Sequence, residues 1–101
     1  MTMLSADKLF METTIVQSPG NIISDMDGET VMMSIDNGKY YNLGTIGGYI
    51  WEMIKTPSSI DKLISKLTNE FDIENSECQK EVIPFLEQLL NEKLIMIEKG
   101  L

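Results

Sequence analysis

The stretch ETVMMSIDNGKYYNLGTIGGYIW, residues 29–51, decides the fold of this chain. It begins as a strand, turns at Asp36-Asn37-Gly38, returns as a strand and runs on into a helix. Asn-Gly and Asp-Gly pairs are strong hairpin signals because both residues accept a positive φ. Asn37-Gly38 separates Thr30–Ile35 from Lys39–Leu43, and Asp27-Gly28 separates Asn21–Met26 from Thr30–Ile35. The three runs read as an antiparallel meander with two tight turns. Val31, Met33 and Ile35 share one face by the two-residue period of a strand. A two-residue loop at 37–38 pairs Ile35 with Tyr40. A three-residue loop at 36–38 pairs Met33 with Tyr41 and Val31 with Leu43. The second register gathers four apolar side chains on one face, and a slip of one residue would scatter them, so the second is expected. Tyr41 and Leu43 then face inward and Tyr40 outward.

The rest of the chain is helix-like. Ile46, Ile50, Trp51 and Ile54 form a stripe on a helix from about Thr45 to Lys55, ended by Pro57, which pushes the residue before it out of the helical region. Ile60, Leu63, Ile64 and Leu67 form the stripe of a second helix to Phe71, with Ser58-x-x-Asp61 as its capping box. A third helix opens at the capping box Ser76-x-x-Gln79 and carries Val82, Phe85, Leu86, Leu89 and Leu90. Pro84 lies inside it and predicts a kink. Leu94–Ile97 reads as a short extended return. Residues 1–20 read as a tail, with a short apolar stretch Thr14–Val16 and an amphipathic turn carrying Leu4, Leu9, Phe10 and Met11. Residues 21–101 form the domain. A three-stranded sheet cannot bury a face alone and must lie on the helices. The expected class is α+β, winged-helix-like, with an N-terminal three-stranded antiparallel sheet followed by three helices.

Composition narrows the function. The 101 residues hold 16 Asp+Glu against 8 Lys+Arg, all of them Lys, and no His, for a net charge of −8. The absence of His removes Ser-His and Cys-His nucleophile pairs, and the single cysteine, Cys78, makes neither an internal disulfide nor a metal set. No catalytic residue, metal site or cofactor is expected, and the protein reads as a non-enzyme. A winged-helix transcription factor fits poorly, because the third helix carries Glu77, Glu81, Glu87 and Glu92 against Lys80 and Lys93, whereas nucleic-acid binding needs clustered positive charge. A small acidic carrier protein needs an Asp-Ser-Leu attachment motif, which is missing. No apolar run reaches the roughly 18–20 residues of a membrane span, and the N-terminus lacks the order of a signal peptide. The expected location is a reducing cytoplasm.

The stretch Tyr41-Asn-Leu-Gly-Thr-Ile-Gly47-Gly-Tyr-Ile-Trp51 resembles the PqqD-like proteins, the peptide-recognition elements of pathways that modify ribosomally made peptides. Ser59-Ile-Asp-Lys-Leu63-Ile resembles the opening of that family's second helix, Glu81-Val-Ile-Pro-Phe85-Leu-Glu-Gln-Leu89 its third, and Leu94-Ile95 its closing pair. The similarity spans about residues 20–97. Gly44, Ile46 and Pro84 depart from the usual pattern. The length is most like that of the free-standing subunits of lasso-peptide biosynthesis. The resemblance implies an adaptor that binds a precursor's leader peptide as an added strand on the third strand of the meander, in the cleft with the third helix. It implies presentation of the precursor to a leader peptidase and a macrocyclase. The alternative it implies is a peptide chaperone for a radical-SAM maturation enzyme.

The residues agree with an open edge. The third strand of a 1-2-3 meander is an edge by construction, and Lys39, Tyr40, Tyr41, Asn42 and Leu43 offer no Pro or bulge to block pairing. The other explanation is an edge covered by the N-terminal tail or by a second copy of the chain; a monomer or weak dimer is expected. Cys78, Glu81, Val82 and Phe85 lie three or four apart on the third helix and share a side, the expected far wall of the cleft. Val82 and Phe85 read first as core and second as ligand contacts, and Cys78 as a small buried apolar group. Lys39 is one of few positive charges placed to meet a leader carboxylate.

Overall fold

The computed structural model describes residues 9–98. Strands β1 (Thr14–Gln17), β2 (Asn21–Met26), β3 (Glu29–Ser34) and β4 (Lys39–Leu43) come first. They are followed by α1 (Gly44–Met53), β5 (Ser58–Ser59), α2 (Ile60–Phe71), α3 (Asn75–Asn91) and β6 (Ile95–Ile97). The class is α+β, with the antiparallel sheet β2-β3-β4 preceding three helices in a winged-helix-like order.

The first hairpin has the expected tight turn, with two residues between its strands. Met26 faces Glu29, and Asp27 and Gly28 take φ of 55° and 82°. The second hairpin differs from both expected registers. Ser34 pairs with Lys39, Met33 with Tyr40, Met32 with Tyr41 and Val31 with Asn42, across a four-residue loop, Ile35–Gly38. Ser34 sets this loop. Its carbonyl accepts from the Gly38 N–H at 2.9 Å and its hydroxyl from the Asn37 N–H at 3.1 Å. The inward face is therefore Met32, Ser34, Tyr41 and Leu43, while Val31 and Met33 lie on the other face and Ile35 is exposed in the loop. Tyr41 and Leu43 point inward and Tyr40 outward, as expected.

A second sheet, β5-β1-β6, was not anticipated. β1 falls in the stretch read as a tail. Ile15 within it is fully buried, facing Ser58 on one side and Ile97 on the other. The Gln17 amide donates to the Trp51 carbonyl at 2.7 Å, tying β1 to the end of α1. Leu9, from the same stretch, is also buried, and Leu4 lies outside the described residues.

The helices pack by the expected stripes. Ile50, Trp51 and Ile54 are buried, whereas Ile46 is partly exposed. Gly48 lets α1 press onto β3, since a Cβ there would collide with the Thr30 side chain. Ser59 rather than Ser58 caps α2, its hydroxyl accepting from the Lys62 N–H at 3.2 Å. The α3 cap is Glu74 rather than Ser76, so that helix starts earlier than its sequence motif indicates. α3 continues through Pro84, whose ring is exposed.

Candidate binding cleft

β4 and α3 form the two walls of a cleft. Leu43 and Phe85 border both of two adjoining chambers, one toward the start of α3 and one toward its end. The first chamber is about 240 Å³ and mostly apolar. Leu43, Ile46 and Gly47 line it from the β4–α1 side, and Cys78, Glu81, Val82 and Phe85 from α3. Gly47 keeps its floor open, because a Cβ there would come within 3.0 Å of the Phe85 ring and 3.1 Å of Leu43. The second chamber, about 330 Å³, is bordered by Tyr40, Tyr41 and Asn42 on one side and by Phe85, Gln88 and Glu92 on the other.

The far end of the second chamber is closed by hydrogen bonds. The Tyr41 hydroxyl donates to Glu92 Oε1 at 2.8 Å. The Asn37 amide donates to the Tyr41 hydroxyl and to the Glu92 carbonyl, each at 3.0 Å. Lys39 Nζ lies 3.8 Å from Glu92 Oε1, an exposed pairing that sets the ammonium beside a carboxylate of its own chain. Such exposed pairs contribute little by themselves. The hydroxyl and amide contacts lock the β3–β4 loop onto the end of α3, and so fix the spacing of the two walls.

The structure thus brings eight of the nine expected residues to one cleft. Leu43, Cys78, Glu81, Val82 and Phe85 border the first chamber, and Tyr40, Tyr41 and Asn42 the second, while Lys39 stands at its closed end. Val82 and Cys78 are almost wholly buried and belong to the core as well. Burial pushes the Cys78 thiol above its ordinary value, which keeps it in the unreactive protonated form. The Asn42 side chain is engaged by Glu29 and by the Gly44 N–H. Sequence reasoning missed Gly47, Gln88 and Glu92. Glu92 follows Phe85, and Phe85 follows Cys78, at the seven-residue spacing that keeps one helix face, so extending the stripe by two turns would have found it.

Among the described residues, no strand pairs with the outer edge of β4. That edge presents backbone donors and acceptors directly beside the two chambers, the arrangement needed to add an extended chain by main-chain pairing while its alternate side chains enter the cleft. Among the described residues, no group of three or more His, Cys, Asp or Glu side chains is placed to hold a metal ion, and no helix is long and apolar enough to cross a membrane.

A family model described as coenzyme PQQ synthesis protein D (PqqD) matches residues 29–95. No curated protein matches the chain. Among solved structures, TbiB1 in complex with the TbiA(β) leader peptide has a similar fold, with a TM-score of 0.69 and 20% identity, covering 85% of this chain and 98% of that one.

Proposed function

The chain belongs to the PqqD family, and from that premise we propose that it is a non-catalytic adaptor that binds the leader peptide of a ribosomally synthesised precursor. The leader adds as a strand to β4 and sends alternate side chains into the cleft with α3. The observation that carries this reading is the β4 edge, with no partner strand among the described residues, lying along a two-chambered, partly apolar cleft. The TbiB1 structure, a protein of similar fold bound to a leader peptide, supports it by analogy. Lys39, Tyr40, Tyr41, Asn42 and Leu43 form one contact surface and Cys78, Glu81, Val82 and Phe85 the other. Each new main-chain hydrogen bond contributes about 1 kcal/mol net, and each buried apolar anchor roughly 1.5–3 kcal/mol. After the ordering cost of a flexible peptide, affinity on the order of micromolar or somewhat tighter follows.

The finer reading is a lasso-peptide pathway, with a leader peptidase and a macrocyclase acting on the presented precursor. The outer face of the sheet supports a docking partner. Ile22, Met33 and Tyr40 form a row across β2, β3 and β4, and Ile22 and Tyr40 are exposed where such a face is ordinarily polar. The row reaches the β4 edge, so a partner seated on it would also touch an added leader strand.

The test is to titrate the protein with the synthetic leader of a candidate precursor and to follow backbone amide exchange. Saturable binding with new protection at Lys39–Leu43 is expected, and Phe85→Glu is expected to weaken it at least tenfold, by loss of one apolar anchor. Saturable binding that leaves β4 exchange unchanged would exclude strand addition.

A further inference from the structure

The sheet β2-β3-β4 has a second border, and it is built differently from β4. Among the described residues no strand pairs with the outer edge of β2. α1 packs against β3 and β4, and β2 has β3 as its one substantial neighbour. Half of its six residues are large apolar side chains left exposed: Ile22 at 52%, Ile23 at 37% and Met26 at 59%. Ile22 and Met26 lie on the outer face, opposite Met33 and Glu29, and Ile23 lies on the inner face, opposite Met32. Sheet edges are commonly guarded by lysine, proline or a bulge. β2 pairs with β3 without a bulge, holds no Lys or Pro, and carries Asp25 as its only charge.

The first hairpin fixes which backbone groups reach that edge. Across a two-residue turn the closing pair exchanges both hydrogen bonds, so Met26, Ser24 and Ile22 direct theirs to β3. The Ile35 N–H donates to the Gly20 carbonyl at 3.3 Å, in step with this alternation. The N–H and C=O of Asn21, Ile23 and Asp25 therefore point outward. We infer that β2 is a self-association edge, on which a second copy of this chain pairs antiparallel about a two-fold axis at Ile23 and joins the two sheets into one. Ile23 then faces Ile23 of the second copy, and Asn21 faces Asp25, with about six main-chain hydrogen bonds between them. The register is self-complementary. The apolar Ile23 meets itself at the axis, and each Asp25 carboxylate meets an Asn21 amide rather than a like charge. Asn21 also borders a groove with Lys93 and Asp36. Lys93 is in no ion pair among the described residues, so it is available to Asp25 of the second copy. An axis at Asp25 would oppose two carboxylates, and an axis at Ser24 would leave the outward groups of Asn21 without strand partners. The two β4 edges then lie at opposite borders of the joined sheet, about 24 Å apart at roughly 4.8 Å per strand, and both stay open. The pairing does not rest on leader binding. A strand-to-strand contact buries less than about 1,200 Å², the low end for specific interfaces, which sets a weak dimer with a Kd on the order of 100 µM.

Sedimentation equilibrium of the full chain between about 5 and 500 µM tests this by mass action. It is run in about 300 mM sodium chloride, where repulsion between two chains of net charge −8 is screened. A monomer–dimer equilibrium is expected, with protection of the Asn21, Ile23 and Asp25 amides rising with concentration. Ile23→Lys, which sets two ammonium groups face to face at the axis, should weaken the dimer at least tenfold. Ile23→Pro should do the same by removing an outward N–H, a position where an edge strand accepts proline. Ile23→Cys should give a disulfide-linked dimer on mild oxidation, since its two Cα atoms face each other at about 5.5 Å. Asp25→Cys should not, because its two copies lie well beyond the roughly 7 Å limit for a bridge. Cys78 is buried and does not compete. A chain that stays monomeric at the highest concentration would overturn the inference, as would a dimer that keeps its affinity in both Ile23→Lys and Ile23→Pro. Protection of the three amides that does not change with concentration would mean that another part of the same chain covers β2, and would overturn it too. So would a dimer dissociated by the leader of a candidate precursor, since self-association would then lie at β4.

Discussion

Gly47 joins packing to recognition through one missing methyl group. Its Cα forms the floor of the apolar chamber, within contact distance of both Phe85 and Leu43 once a Cβ is added. Gly47→Ala should therefore shrink the chamber while improving helix propensity by about 1 kcal/mol. The expected outcome is a melting temperature held or slightly raised, with leader affinity reduced roughly three- to tenfold, as for an overpacked site. Paired thermal melts and leader titrations check it, and a fall in stability without loss of affinity would show that Phe85 does not yield to the ligand. At this scale, much of the site could be read from the sequence. The family resemblance pointed to the third strand and the third helix, the strand and helix periods picked out Tyr41, Leu43, Cys78, Val82 and Phe85 on them, and these residues line adjoining chambers. Glu92 and Gly47 did not stand out, because a glutamate near a helix end and a glycine in a helix have many commoner explanations than the wall of a cavity.

The elements were legible where turn chemistry is stiff and illegible where a side chain overrides it. Asp27-Gly28 fixed its hairpin. Asn37-Gly38 did not, because the buried Ser34 captures two N–H groups of the loop and draws it to four residues. The run Val31–Ile35 has three apolar residues on one face and only Met32 with Ser34 on the other, so counting apolar groups chose the wrong face, and the true inward face contains two hydroxyls, of Ser34 and Tyr41, each satisfied by hydrogen bonds. The short sheet β5-β1-β6 was hidden for a different reason. Its strands have two to four residues and pair across long stretches of chain, which no local pattern encodes. α3 offers a test at this scale. Pro84 lies in the helix interior, where it removes one backbone hydrogen bond, and its ring is exposed. A proline at such a position costs up to about 3 kcal/mol, so Pro84→Ala should raise the urea midpoint by the equivalent of 1–3 kcal/mol. No rise would mean that the helix is already relaxed around the ring.

Across the whole molecule, like charges outnumber the pairs that could relieve them. Among the described residues the ion pairs are Lys39–Glu92, with its lysine exposed, and Lys55–Glu52, exposed on both sides, against a net charge of −8. Self-repulsion should therefore exceed what these pairs contribute. Raising sodium chloride from about 10 to 300 mM shortens the Debye length from roughly 30 to 6 Å and should raise the melting temperature by a few degrees. A melting temperature that falls with salt would mean that attractive surface pairs dominate.

The pairing of β1 with β6 has a consequence for how the protein is made. Ile15 is synthesised early, yet one of its two flanking strands, at Ile95–Ile97, is translated long after it. The hairpins are local in sequence, but their sheet has no complete core to lie on until the helices follow. β1 must wait beside an unfinished sheet until Ile97 has cleared the exit tunnel, because contacts between distant parts of a chain form only after both ends are present. A nascent chain stalled before that point would leave Ile15 without one of its two covering strands, and would be most open to proteases while β6 is still missing.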